Sequence, residues 1–262
     1  MAMCLKVLTT TWKSQLRSVL FWTCLCATVL FFIDDFDDVK LVSTYSFHKH
    51  LANFASAPLA RAVPIFLAIT ISVDALKDKS NHFFDIQRCT SLPLRSYYIG
   101  KILAHVLSGM LLAFVYTYAL FFAYYVKSSG LENIDYAIGE CLYMLLLRWL
   151  AYGLPVVLTY ASLTFAVAFW SKRALVGILV PTVYSMTSIF FPGYLHNSFY
   201  GLYVHPLPDT IMQYMYFYKT RALEEAIVYT PVEDFWLSVS LVLSLSTALF
   251  LLGWFGLRRM KE

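Results

Sequence analysis

Few residues in this 262-residue chain have the type and spacing that chemistry requires. Its five cysteines, Cys4, Cys24, Cys26, Cys89 and Cys141, form no C-x-x-C pair. An odd, scattered set fits neither a disulfide framework nor a zinc site. His48 and His50 have the spacing of a ligand pair, but two histidines alone rarely hold a metal ion. Arg61 stands inside an apolar stretch, where an ionisable group is a functional candidate by default. It either lines a pathway, snorkels to the interface, or pairs with Asp37 or Asp38. Arg148 with Glu140, and His105 one turn after Lys101, read as interfacial charge. No G-x-x-x-x-G-K-[ST] occurs, so the chain lacks that phosphate-cradling loop of backbone amides. H-E-x-x-H, G-x-S-x-G and a Gly-rich dinucleotide turn are also missing. No catalytic residue is assigned, and the chain is not expected to be an enzyme.

The elements that would position these groups are set by the solvent. The chain is 60% hydrophobic, 18% aromatic and only 14% charged, with a mean hydropathy of +0.64. Soluble domains carry about 45–50% apolar and about 25% charged residues. So much apolar surface points to lipid, and away from a soluble enzyme, a nucleic-acid-binding domain, a disordered chain or a disulfide-stapled module. The first apolar run follows Lys6, Lys13 and Arg17, as in a signal peptide. It has no small-x-small cleavage site and ends in Asp34-Asp35-Phe36-Asp37-Asp38, so it is expected to stay as a membrane helix.

A helix crosses the hydrocarbon layer in about 20 apolar residues. Six such spans are expected, over 16–33, 52–73, 98–126, 138–170, 174–191 and 235–256. Together they form an all-α integral membrane protein with a single transmembrane domain over 1–262. Thirteen of the twenty Lys and Arg residues flank one side of these spans. The positive-inside rule therefore puts both termini in the cytoplasm. Two connections exceed simple turns. They are a cytoplasmic segment over 74–97 and an outer segment over 192–234, rich in Tyr, Phe, Met and Pro. Paired glutamates at Glu224-Glu225 invite comparison with membrane-embedded CAAX-type proteases. Ala226-Ile227-Val228-Tyr229 follows them without the arginine that family wants, so a solvated outer loop is the reading.

Residues 79–103 read KSNHFFDIQRCTSLPLRSYYIGKIL. Phe83, Phe84 and Ile86 alternate with Asp85, Gln87 and Arg88, which suits a short amphipathic helix on the cytoplasmic surface. Such a face meets either a partner or the headgroups. Pro93 then breaks the helix before the chain re-enters the membrane.

The run SLPLRSYYIGKIL resembles the cytoplasmic loop of ABC-2-type transporter permeases, where L-P-[apolar]-[S/T]-R-x-x-[apolar]-x-G-K follows an acidic, polar stretch. Ser91, Leu92, Pro93, Leu94, Arg95, Gly100 and Lys101 carry the match. The Ser/Thr before the arginine is replaced by Leu94, and Ser96 follows Arg95. The expected span count and termini agree with that family over nearly the whole chain. The resemblance implies a type V exporter-like architecture in the plasma membrane of a bacterium. Two permease subunits, identical or homologous, would pair and dock two ABC ATPase subunits. ATP and Mg would be bound on the partner ATPase, with no cofactor on this chain.

Under that resemblance Phe83, Phe84, Asp85, Ile86 and Arg88 form the coupling helix that contacts the ATPase. Residues 1–13 become an interfacial helix, and 192–234 caps the pathway with partly re-entrant helices. The expected cargo is amphipathic or apolar: a peptide, a drug-like compound or a lipid-linked molecule. Membrane lipid is the remaining partner, and nucleic acid is not one. The rival readings are a secondary carrier or channel, a membrane-embedded enzyme, and a scaffold or sensor subunit. A carrier needs charged groups and broken helices near the midplane.

Overall fold

Long apolar runs without internal turn signals form helices, and among the described residues all regular structure is helical. The computed structural model describes residues 2–26, 62–80, 93–127, 142–190 and 232–261. In chain order the helices are α1 (Ala2–Leu16), α2 (19–26), α3 (Ala62–Ser80), α4 (Leu94–Lys127), α5 (Leu142–Ser171), α6 (Ala174–Phe190) and α7 (Val232–Lys261). Among the described residues, three stretches are long and apolar enough to cross a membrane: Leu94–Val115, Gly153–Ser171 and Trp236–Arg259. Ala62–Ala75 and Ala174–Met186 are shorter apolar helices. At 34 residues, α4 is roughly 50 Å long, well beyond a hydrocarbon layer about 30 Å thick.

Local sequence explains where several helices stop and start. Ser18 separates α1 from α2: its Oγ accepts the Phe21 backbone N–H at 3.2 Å, and so caps the first turn of α2. The same hydroxyl donates to the Gln15 carbonyl at 2.7 Å, which closes the end of α1. Lys172 makes the corner between α5 and α6 in the left-handed region, at φ 56°. α3 continues through Ser80, beyond the apolar run that 52–73 would supply. Its polar extension persists because Asp74 and Asp78 have partners on α4.

α5 is the hub, packed against α3, α4, α6 and α7. Val156, Val157, Tyr160, Ala161, Phe165 and Phe169 bury its inward faces. Phe165 stacks on Phe169, with ring centroids 5.7 Å apart, and meets Tyr98 and His105 edge-on. The outward faces stay apolar: Leu179 and Val183 on α6, and Leu251, Leu252 and Phe255 on α7, are exposed. In lipid such faces carry no penalty, whereas helix contacts need close backbone approach or hydrogen bonds. Both devices occur. A Cβ at Gly100 would fall 2.8 Å from Val7 Cβ, so this glycine lets α1 lie against α4.

Candidate functional site

Three helices bring polar stripes with near-fourfold spacing to one seam. α1 supplies Thr11 and Gln15, α3 supplies Thr70, Asp74 and Asp78, and α4 supplies Tyr97, Lys101, His105 and Ser108. Residues four apart share a helix face, so each stripe points at the other two. Lys101 Nζ lies 2.9 Å from Asp78 Oδ2 and 3.3 Å from Asp74 Oδ2. Its ammonium also sits 5.7 Å from the Tyr97 ring centroid, and the Tyr97 hydroxyl donates to Asp78.

Deeper in the seam His105 is fully buried, at 0% exposure. Gln15 Nε2 donates to its Nδ1 at 2.7 Å, so that ring nitrogen is the acceptor. The ring proton then resides on Nε2, which donates to Asp74 Oδ2 at 3.1 Å. This tautomer follows from the partners. Gln15 Oε1 accepts from Ser108, and Thr70 Oγ1 lies 3.4 Å from His105 Nδ1. The polar atoms thus form one connected set spanning α1, α3 and α4, and a buried set is favourable only when so connected.

Chemically, the seam ties helices together. The Thr70 hydroxyl, 3.4 Å from His105 Nδ1, donates to the Phe66 carbonyl at 2.8 Å, and Ser108 donates to Gln15. Among the described residues, no group of three or more His, Cys, Asp and Glu is placed to hold a metal ion.

The sequence-derived residues fall into two sets. Lys101 is at the centre of the seam, Gly100 is the contact with α1, and Pro93 accepts the Tyr97 N–H at 3.2 Å ahead of α4. Arg95 is exposed in the first turn of α4. Phe83, Phe84, Asp85, Ile86, Arg88, Leu92 and Arg61 lie outside the described residues, as do His48, His50, Glu224 and Glu225. The placement of His105 differs from the sequence expectation: it is a core group with a carboxylate partner, not an interfacial one. Gln15, Asp74 and Asp78 were not singled out either. The available signal was the recurrence of polar residues every four positions on helices otherwise apolar. Comparison of the chain with protein-family models, curated proteins and solved structures yields no match.

Proposed function

We propose that this chain is the membrane subunit of an ATP-driven exporter of the ABC-2 type, moving an amphipathic or apolar cargo across a bacterial plasma membrane. ATP and Mg would be bound by two partner ATPases, and a second permease subunit would complete the transporter. The observation that carries this reading is the seam below the SLPLRSYYIGKIL run. α3 and α4, which flank residues 81–92, are joined there by Lys101, Asp74 and Asp78, and both are joined to α1 through His105 and Gln15.

A push on the segment holding Phe83, Phe84, Asp85, Ile86 and Arg88 would then reach α1, α3 and α4 as one unit. Packed helices respond to such a push by shifting between discrete arrangements. Cargo would pass between the apolar helices, with no covalent chemistry on this chain. Affinity purification in mild detergent from the native host, with mass spectrometry of companions, tests the reading. The expected result is a stoichiometric P-loop ATPase, lost when Phe83, Phe84 and Arg88 are replaced by Ser, Ser and Glu. A folded chain with no ATPase contradicts it.

One observation favours a second reading. The bond between fully buried His105 and partly buried Asp74 places ionisable groups inside a helix bundle, which a secondary carrier would use. Cargo movement by the chain alone in vesicles, driven by a proton gradient without ATP, would support the carrier.

A further inference from the structure

A cavity of about 400 Å³ lies between α1 and the adjoining ends of α3 and α4. Lys6 and Thr11 line it from α1, Asp78 from α3, and Tyr97 and Lys101 from α4, with Met3 also on its wall. Both signs of charge face this one space. A simple anion would meet the Asp78 carboxylate, and a simple cation would meet two ammonium groups. A ligand that carries a phosphate and an amine a few bonds apart satisfies both.

We propose that the cavity holds the phosphoethanolamine headgroup of a membrane lipid. The phosphate oxygens accept from Lys6 Nζ and from the Thr11 hydroxyl, beside Lys101. The primary ammonium donates to Asp78. The Lys101 and Tyr97 bonds to Asp78 both fall on Oδ2, which directs the ammonium to Oδ1. A primary ammonium has hydrogens to donate and a quaternary one has none, so ethanolamine is preferred over choline. The lipid source follows from α1 itself. Met3 is an exposed apolar side chain on the cavity wall beside Lys6. A helix at the acyl–headgroup boundary sets Met3 beside acyl chains. Basic pockets between membrane helices on the cytoplasmic side bind headgroups in the same manner. The inference needs the chain to lie in a membrane and does not need an ATPase partner.

The test uses the full chain in detergent, followed by native mass spectrometry. It is titrated with phosphatidylethanolamine, phosphatidylglycerol, phosphatidylcholine and soluble glycerophosphoethanolamine. Phosphatidylethanolamine is expected to bind most tightly. Lys6→Ala should weaken it about fivefold, the contribution of one lysine near a lipid surface. Thr10 also lines the cavity, so Thr10→Trp, which fills it, should abolish the adduct. Lys6 and Thr10 are exposed, so both variants should melt like the wild type. Phosphatidylglycerol binding as tightly would reduce the site to a plain anion site and overturn the proposal. Equal binding of phosphatidylcholine would remove the role of Asp78 and overturn it too. Soluble glycerophosphoethanolamine binding as well as the lipid would overturn the lipid source. No effect of Lys6→Ala would overturn the placement of the phosphate.

Discussion

The α1–α3–α4 seam and the α5–α7 seam solve the same problem by different means. Helices in lipid gain nothing from hiding apolar surface from water, so contact must come from close packing or polar bonds. The first seam uses charges and amides: Lys101 between two carboxylates, and Gln15 bridging His105 and Ser108. The second uses small residues and backbone acceptors. A Cβ at Gly253 would lie 3.3 Å from the Ala166 nitrogen of α5 and 2.5 Å from the Tyr98 hydroxyl of α4, so α7 can approach only without one. Trp170 Nε1 donates to the Leu252 carbonyl at 2.7 Å and Thr159 pairs with Ser246 at 3.1 Å, while Tyr98 of α4 donates to the Phe250 carbonyl at 2.7 Å. Contacts of the second kind hold helices in one register. Contacts of the first kind can exchange partners, which suits a region that moves.

Breaking the polar seam should have the largest effect. Lys101→Met leaves partly buried Asp74 and Asp78 facing each other without their shared cation, and should cost about 1.5–3 kcal/mol. Thermal melting in detergent reads this loss, and Lys101→Arg should recover part of it. Gly253→Val places a side chain against Tyr98 and should cost about 1–3 kcal/mol by overpacking. The same assay checks it, and a Tyr98→Phe background should soften the cost.

Double-mutant cycles sharpen the contrast between the seams. The Gln15–His105 pair should show a coupling of about 1–3 kcal/mol, because removing either partner leaves a buried polar group unpaired. Thr159–Ser246 should show about 0.6 kcal/mol, typical of hydroxyl contacts between membrane helices, since each hydroxyl also bonds its own helix. The smallest effect is at the α5–α6 corner. Lys172→Gly suits the positive φ there and should stabilise by about 0.4–1 kcal/mol.

Composition made the helical, apolar character legible, and α4 to α7 lie close to the apolar runs that suggest them. The break at Ser18 falls two residues inside the expected run over 16–33, because the stop depends on one capping hydroxyl. The extension of α3 to Ser80 was hidden for a related reason. Asp74, Lys77 and Asp78 read as the start of a solvated loop until α4 provides Lys101. Within the site, Lys101 and Gly100 stood out through the spacing of the loop motif. His105 and Gln15 did not, since spacing along one helix shows which residues share a face but not what that face meets.

The central claim is that the polar seam carries motion from residues 81–92 into the bundle. The most direct measurement is ATP hydrolysis by the proposed partner ATPase, free and in complex with wild-type chain or Gln15→Leu. The account predicts that the variant still binds the ATPase, while the change in hydrolysis rate that the wild-type chain imposes is lost. A Gln15→Leu complex that hydrolyses ATP at the wild-type rate would contradict it.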